Sequence, residues 1–514
     1  MAVALEPLIF EKFCGIREQN GINAGGAISA IKAQNIELVS SEIGSGVALK
    51  SAEGNILKYS LPIGYQIKGI FSSVQDNITY IFVYAENSEE GALFSKGPIA
   101  PFEKIIDGLS ITGKCNGLTM SSTAYDVFVF TNGKEIKTVC FEADASYGDV
   151  VKTITPKDYL GRDISFISMT EWNGFLVVAS EYGVHSSHQN DIYTWNEDPQ
   201  DVADSWYIDF NKKINAVFSY TGGLYIFSKD ECYLLNTTPN DKDNSKLTTL
   251  AGLGCMSYSS IVKHDQYLFF YDNNQKNIYY MSATDTTGQT RPQGPVAIEI
   301  QSVFSNVEEM KLYSCIYDKR NEIWCLIDDK IYIYDYLHQE WTQRREQPIE
   351  TIALIHNAVH SGCLNQIYIE GGSLGFNDIH YQNEYQTTFI NAGSNSNLKK
   401  QKTPLLLCLN TNYVNNFYVQ LICNGKPKNP KVVKVNSGQG GAYADDEETE
   451  NVSTYDNAVY AGESIYARKI VEISTPQTWY TLGVRVFTEE LGQGFFIESM
   501  ELKNIKAKTK TKGR

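Results

Sequence analysis

The stretch INAVFSYTGGLYIFSKDECYLL, residues 214–235, contains three short apolar runs separated by Thr-Gly-Gly and Ser-Lys-Asp. Runs of four to five apolar residues bounded by Gly, Ser and Asp are typical of β-strands joined by tight turns. Helical periodicity, with apolar residues three and four positions apart, is nearly absent from the rest of the chain. The stretch therefore predicts consecutive antiparallel strands in an all-β protein.

The middle run of this pattern recurs along the chain. Its copies lie at residues 78–84, 125–130, 175–179, 224–227, 267–271, 323–327 and, more weakly, 367–369. Their starts are 47, 50, 49, 43, 56 and 44 residues apart. A repeat of this length with three or four strands has the size of a propeller blade, and stacking such units around an axis buries the apolar face of each.

Partner strands follow or precede most of these copies. The following ones are predicted at 136–141, 192–195, 232–235, 278–281 and 331–334, and preceding ones at 214–218 and 257–262. We predict a six- or seven-bladed β-propeller in which Phe175, Leu224, Phe269 and Trp324 are core residues of equivalent strands. Two β-sandwiches in series are the alternative architecture.

The composition along the chain divides it into four parts. Residues 1–64 are predicted to contribute to ring closure, through strands at 36–40 and 46–50, and residues 65–385 to form the propeller. A polar segment, 391–402, precedes further strands, so residues 386–502 are predicted to form a small β-sandwich-like domain. Residues 503–514 carry six positive charges and no acid, which predicts a basic flexible tail.

The formal net charge of −16 argues against a protein that coats nucleic acid. It is compatible with a wall past which DNA moves without being held, because an acidic surface repels phosphate. The start of the chain lacks the features of a signal peptide, and no apolar stretch approaches the length of a membrane helix. The ten cysteines form no CxxC pair, so we expect free, buried thiols in a protein made in a reducing cytoplasm.

The sequence contains few residue patterns that indicate a metal-binding, phosphate-binding or catalytic site. His185 with His188, and His356 with His360, lack an obvious third ligand, and Glu308 with Glu309 has the character of a solvated face. The Gly-rich segments at 21–26 and 436–441 lack the lysine of a phosphate-binding loop, and no GxSxG motif occurs. We therefore expect no enzymatic activity, no catalytic, cofactor-binding or metal-binding residue, and no cofactor.

Several passages resemble a known family. They are Phe-Cys-Gly-Ile-Arg at 13–17 with Ala-Gln-Asn-Ile-Glu at 33–37, WNGFLVVAS at 172–180 with DIYTWNEDP at 191–199, the strands at 214–235 with Gly254 and Cys255, and IYIYD at 331–335 with Trp341 and Thr342. Over roughly residues 10–400 the chain is similar to the β-propeller tail proteins of bacteriophages. The closest are the tail-hub or packaged-DNA-stabilisation proteins of short-tailed phages.

This resemblance implies a structural virion protein of the neck or tail and brings no catalytic residues. It implies a homo-oligomeric ring below the portal or adaptor that continues the DNA channel and anchors fibres or a nozzle ring. Double-stranded DNA would pass without specific binding, and no membrane would be involved. Two other functions remain open: a receptor-binding, glycan-binding tail protein, and a propeller enzyme that processes glycans.

Overall fold

The computed structural model of this protein is all-β, which confirms the predicted fold class. Within the described residues, the helical elements are two 3-10 turns, Tyr258–Ser260 and Ile298–Phe304, and none is a helix that could cross a membrane. The structure describes residues 2–18, 27–41, 46–75, 77–121, 126–141, 151–158, 160–195, 201–282, 292–317, 320–328, 330–344, 348–371, 379–393, 397–410, 416–434 and 468–508.

The chain divides into two compact units. The first, the propeller unit, comprises residues 57–329 and 348–370. The second contains both ends of the chain and is called the terminal unit; it comprises residues 1–56, 330–347 and 371–514. These limits differ from the predicted boundaries at 64 and 385, and they place the hairpin at 330–344 in the terminal unit.

The propeller unit is a succession of antiparallel sheets. Their strands are Gln66–Gln75, Ile78–Glu86, Gly91–Lys96 and Glu103–Leu109; Asn116–Ser121, Asp126–Thr131, Ile136–Val139 and Val151–Ile154; Ser168–Trp172, Phe175–Ala179, Gly183–Ser186 and Tyr207–Asp209; Ile214–Tyr220, Gly223–Ser228, Cys232–Leu235 and Leu247–Ala251; Ile261–His264, Tyr267–Asp272 and Asn277–Ser282; Met310–Tyr317 and Arg320–Ile327; Thr351–Ile355, Ala358–Cys363 and Gln366–Glu370. Among the described residues these are seven groups, numbered here in chain order. The sixth group has two described strands, and the hairpin 330–344 that follows it in the chain belongs to the terminal unit. The number of blades therefore stays a prediction.

Apolar side chains fill the space between neighbouring groups. The rings of Phe82 and Phe128 stack with their centroids 4.0 Å apart and join the first group to the second. Similar cores join the second, third, fourth and fifth groups. Ile355 and Ile367 of the seventh group pack in one cluster with Ile67 of the first. The succession of sheets therefore returns to its start and closes.

The strand that completes the seventh group comes from the N-terminal side of the chain. Asn55–Ser60 is its fourth strand, and Leu61 N donates to Asn365 O over 2.8 Å. The segments predicted to close the ring are instead the strands Ile36–Ser40 and Val47–Ser51 of the terminal unit. The choice of these two segments was wrong: they pair with each other, and Val47–Ser51 also pairs with Phe496–Leu502, whereas the closing strand Asn55–Ser60 lies further along the same predicted segment, residues 1–64.

The predicted core residues are confirmed. Phe175, Leu224, Phe269 and Trp324 are each at most 1% exposed. All four lie in the second strand of their groups, as predicted. These second strands are buried on both faces. Phe175 faces the fourth group, whereas Leu224 faces the third, so the two residues lie on opposite faces of equivalent strands and the predicted alignment is off by one position between these repeats.

Two predicted strands need correction, and the strand predicted at 257–262 begins only at Ile261, after the 3-10 turn Tyr258–Ser260. Residues 192–195 form turns, and the third strand of that group is Gly183–Ser186. The strand predicted at 367–369 exists as Gln366–Glu370, but it is the third of its group; the equivalent second strand is Ala358–Cys363. Both misplaced positions have the same cause: Gly-Val-His-Ser and Ala-Val-His-Ser-Gly-Cys are less apolar than the neighbouring runs that were chosen.

A side-chain cap recurs at the turn between the second and third strands. Asn87, Asn132, Ser228 and Asp272 each accept hydrogen bonds from the backbone N–H groups two and three residues later, over 2.5–3.3 Å. Asn, Asp and Ser favour turns because their short side chains can satisfy nearby N–H groups in this way. The sequence pattern is Asn, Ser or Asp followed three positions later by Glu or Gln.

The terminal unit combines strands from three parts of the chain. They are Ala2–Ala4, Leu8–Phe10, Lys12–Ile16, Ala27–Gln34, Ile36–Ser40 and Val47–Ser51; Lys330–Asp335 and Glu340–Arg344; Glu384–Thr387, Leu398–Gln401, Leu405–Asn410, Phe417–Cys423, Lys426–Pro427, Lys431–Val433, Arg468–Ile473, Thr478–Trp479, Leu482–Phe487, Phe496–Leu502 and Ile505–Lys508. Phe496–Leu502 pairs with both Leu8–Phe10 and Leu405–Asn410.

One apolar core joins strands from the N-terminal and C-terminal parts of the chain. Phe10 and Leu49 from the N-terminal part pack in the same cluster as Leu407, Val484 and Met500 from the C-terminal part. Residues 386–502 are therefore not a module with a core of their own, which corrects the predicted boundaries. The sandwich-like architecture of that region stays a prediction.

The predicted flexible tail is wrong for its first half. Ile505–Lys508 is a strand that pairs with Ala2–Ala4 on one side and Leu398–Gln401 on the other. Ile505 is fully buried, so this strand is held by the apolar core. Residues 509–514 lie outside the described residues.

Candidate functional site

Side-chain hydrogen bonds connect the first strands of neighbouring groups, or the segments leading into them. Around the propeller unit they run from Thr119 Oγ1 to Ser73 Oγ (2.9 Å), Asn116 Nδ2 to Met169 O (3.0 Å), Val217 N to Ser168 Oγ (3.0 Å), Asn215 Nδ2 to Cys255 O (2.7 Å), Ser259 Oγ to Met310 O (3.0 Å), Tyr313 OH to Thr351 Oγ1 (3.3 Å) and Lys68 Nζ to Glu350 Oε2 (2.6 Å). These seven contacts, here called the inner belt, bridge every junction between successive groups, including the one from the seventh back to the first.

The junction that closes the ring is the charged member of the belt. Lys68 donates to Glu350, and Lys311 approaches the backbone carbonyl of Glu350 and the carboxylate of Glu309, each over 3.4 Å. Cys115 lies beside these lysines, yet burial raises its pKa to about 12, so the thiol stays protonated at neutral pH. A thiol in this state is a poor nucleophile. The cluster is suited to joining two sheets, because its charges neutralise one another.

One buried histidine adds a further link between the fifth and sixth groups. His264 is fully buried, with Nδ1 2.9 Å from Ser314 Oγ of the sixth group and Nε2 in contact with Asn321 Oδ1. Burial lowers the pKa of His264, and it does the same for His185 and His360. These imidazoles are therefore neutral at pH 7 and act as hydrogen-bonding core residues.

The histidines of the pair His185 and His188, which the sequence suggested as possible metal ligands, bond to different residues. His185 Nε2 lies 3.3 Å from Ser180 Oγ, whereas His188 Nδ1 lies 3.5 Å from Asp204 Oδ1. His356 has a φ of 50° in the turn before Ala358–Cys363. Across the described residues, no three His, Cys, Asp or Glu side chains gather as a metal ion would require. The Gly-rich segments at 21–26 and 436–441 lie outside the described residues.

All ten cysteines are free thiols, and eight of them are buried. For Cys232 and Cys255 in the fourth-to-fifth junction, burial raises the thiol pKa well above its usual value. These residues behave as small apolar core side chains.

Two buried ion pairs attach the hairpin Lys330–Arg344 to the N-terminal strands within the terminal unit. Arg17 Nη2 lies 2.8 Å from Glu340 Oε1, and Gly15 N donates to the other carboxylate oxygen over 2.9 Å. Four residues further along, Arg344 Nη2 lies 3.3 Å from Glu37 Oε1. The hairpin thus presents an acid, Glu340, and a base, Arg344, to segments more than 300 residues away in sequence. A shift of the hairpin along these segments would separate both pairs, so they fix its position.

A small pocket of about 120 Å³ lies on the terminal unit. Val419, Ile473 and Pro476 form its apolar wall, and Lys428 and Lys431 lie at its edge. Sites for drug-sized ligands occupy roughly 300–1,000 Å³. The pocket is therefore too small to serve as a candidate site for such a ligand.

The inner belt was missed by sequence reasoning. Its members are mostly Ser, Thr and Asn in the strand that precedes the strongly apolar one, and such residues are ordinary in β proteins. The detectable signal is positional: a small polar residue recurs near the start of the first strand in several repeats, as with Asn116, Ser168 and Asn215. Spacing alone does not show which neighbours they reach.

Comparisons with known proteins give a propeller-type likeness without a family. No family model matches the chain, and no curated protein matches it. Similar solved structures include the extracellular domain of a one-component system from B. thetaiotaomicron (11% identity, TM-score 0.42, covering 82% of this chain and 59% of that one). Others are a quinoprotein alcohol dehydrogenase-like protein from Bacteroides thetaiotaomicron (10%, 0.31, 59% and 67%) and Hsv2 from Kluyveromyces lactis (11%, 0.28, 55% and 98%).

The chain thus spans about three fifths of the length of the first of these structures. Identities near 10% and TM-scores below 0.5 carry no argument about function. None of the three is a phage protein.

Proposed function

We propose that this protein is a non-enzymatic structural component of a bacteriophage neck or tail. In this proposal, several copies form a ring below the portal or adaptor, and the ring continues the DNA channel and anchors the next tail parts. The channel belongs to the ring of copies and is distinct from the axis of any single propeller. The resemblance to phage tail-hub proteins over roughly residues 10–400 suggests this role.

The observation that carries the proposal is the inner belt. A protein under the load of packaged DNA must resist deformation, and a sheet succession that closes on itself leaves few free edges. Each neutral hydrogen bond contributes only about 1 kcal/mol, so the belt matters chiefly because it is continuous. Its polar groups bind one another across the junctions, which supports a mechanical role for the inner strands over a catalytic one.

The distribution of charge supports passage of DNA without binding. The propeller unit contains 21 Lys and Arg against 37 Asp and Glu, a difference of 16, whereas the terminal unit contains 23 of each. The propeller unit therefore carries the whole formal net charge of −16. A surface of this sign repels phosphate and limits adhesion of DNA.

The connectivity supports a load-bearing part as well. The chain passes between the two units four times, after residues 56, 329, 347 and 370. Four covalent connections share a force that a single linker would bear alone. The hairpin between two of these crossings is held by the buried pairs of Arg17 with Glu340 and Glu37 with Arg344.

The test is to locate the protein in virus particles and to determine its assembly state in solution. Mass spectrometry of purified virions should find the chain in a fixed stoichiometry, and electron microscopy of tagged particles should place it in the neck or tail. The purified protein should form closed rings in sedimentation and imaging. A chain that is absent from particles and monomeric at every concentration would contradict the proposal. Saturable binding of a glycan by the monomer would favour the receptor-binding alternative.

A further inference from the structure

The outward face of one sheet in the terminal unit is unusually basic. The sheet contains the strands Ala2–Ala4, Ile505–Lys508, Leu398–Gln401 and Thr478–Trp479, in that order. Lys400 and Lys506 are directly opposite one another on adjacent antiparallel strands, and both are exposed. Like charges at directly opposite positions destabilise a sheet. The arrangement is therefore a local cost in the isolated chain.

No described carboxylate relieves this repulsion. Lys400 and Lys506 form no ion pair with any residue the structure describes, whereas nearby Lys503 pairs with Glu501 over 2.9 Å. Lys402 is also exposed and lies one residue beyond the end of the strand Leu398–Gln401. We call Lys400, Lys402 and Lys506 the basic face.

The two sides of this sheet differ sharply. Lys399 and Trp479 are fully buried on the inner side, where the lysine ammonium donates to Tyr480 O over 2.9 Å. On the outer side, Ala4 and Thr478 are exposed and short, so a partner surface can approach the lysines closely. The strand alternation thus separates one structural lysine from the accessible Lys400 and Lys506.

We propose that the basic face docks on the acidic propeller unit of a neighbouring copy of this chain. The inference rests on the proposed ring of copies and names its lateral contact. The propeller unit carries the entire net charge of −16, so two propeller units repel each other, and a contact between unlike surfaces is favoured. A contact between two different faces is also what a closed cyclic ring requires.

Nucleic acid is the other polyanion that a basic face could bind. The composition disfavours it, because a protein that holds nucleic acid needs an excess of basic residues, whereas the terminal unit contains 23 Lys and Arg against 23 Asp and Glu. Identical copies, in contrast, all present the same acidic propeller surface, so each basic face would meet the same partner groups. The proposal therefore commits to a second copy, and DNA binding is an outcome of the test.

The first experiment compares two double variants by sedimentation velocity at low and high salt. Lys400→Gln with Lys506→Gln removes two charges from the basic face, and Lys426→Gln with Lys428→Gln removes two exposed lysines elsewhere in the terminal unit. We expect the first variant to weaken association on the order of tenfold at low salt, with a smaller effect at high salt. The control variant should assemble as the wild type does.

A second experiment identifies the partner surface. Isotopically labelled and unlabelled copies are mixed and treated with a carbodiimide, which joins lysines to carboxylates in direct contact. Mixed-isotope cross-links should connect Lys400 or Lys506 with acids in residues 57–329 or 348–370. Circular dichroism and thermal unfolding verify that each variant is folded.

The outcomes separate the inference from the function on which it rests. Rings that form equally well with Lys400→Gln and Lys506→Gln would overturn the basic-face contact and leave the ring proposal intact, as would equal loss in the control variant. A wild-type protein that never associates would overturn both. Loss of duplex-DNA binding in the first variant, measured by mobility shift, would identify nucleic acid as the partner and overturn the copy-to-copy contact.

Discussion

Removal of the Arg17 guanidinium tests whether the buried pair with Glu340 holds the hairpin in the terminal unit. The side chains are 14% and 5% exposed and lie 2.8 Å apart, so Arg17→Met leaves a carboxylate that is almost fully buried without this partner. Breaking a buried pair from one side costs about 3–5 kcal/mol. Glu340 keeps its hydrogen bond from Gly15 N, so we expect the lower end, about 3 kcal/mol.

The decisive variant is the double substitution Arg17→Met with Glu340→Gln. The amide needs no charged partner and can still accept from Gly15 N, so the double variant should be more stable than Arg17→Met alone. Urea unfolding followed by tryptophan fluorescence measures this, since buried Trp341 is adjacent to Glu340. The matched control is Lys426→Met, which removes an exposed charge. The free energies of unfolding of Arg17→Met and Glu340→Gln are measured separately as well. If the double variant loses the sum of the two single losses, the reasoning is refuted, because only independent sites are additive.

Gly15→Ala should destabilise the terminal unit severely, because the added Cβ would lie 2.2 Å from a backbone carbonyl; Gly252→Ala, with open space around it, should be nearly neutral in the same urea assay. Stability should fall as pH drops below about 6.5, because burial lowers the pKa of His185, His264 and His360 and the unfolded chain takes up protons first. Each histidine that stays neutral costs about 1.4 kcal/mol per pH unit, and a urea midpoint that does not change from pH 7.5 to 5.5 would contradict this. A thiol reagent should label all ten cysteines in denaturant and few in the native protein, and a denatured count well below ten would reveal disulfides.

Much of the propeller unit was predictable because its information is local. The second strand is strongly apolar in the third to sixth groups and is buried there, so Phe175, Leu224, Phe269 and Trp324 were correctly identified as core residues. Prediction failed where a strand is short and polar, as at Gly183–Ser186. The cap at Asn87 and its equivalents is also local, yet it was overlooked because its residue type varies between repeats.

Some of the features used to infer function can be seen in the sequence, and others appear only in the folded structure. The net charge and the cysteine distribution are visible in the sequence, whereas the inner belt appears only after the strands are assembled, because its partners are 38–282 residues apart. The basic face depends on register as well. Lys400 and Lys506 are adjacent only because two strands about a hundred residues apart pair in one alignment.

The sequence by itself determined that the protein is all-β, that its middle contains a repeat of 43–56 residues, and which strand of several repeats is buried. These features follow from alternation and turn chemistry within a few neighbouring residues. Only the tertiary structure decided that Asn55–Ser60 closes the ring and that both ends of the chain share one core. Those choices depend on pairing between segments more than 300 residues apart, where several apolar strands would fit and only the packed structure selects among them.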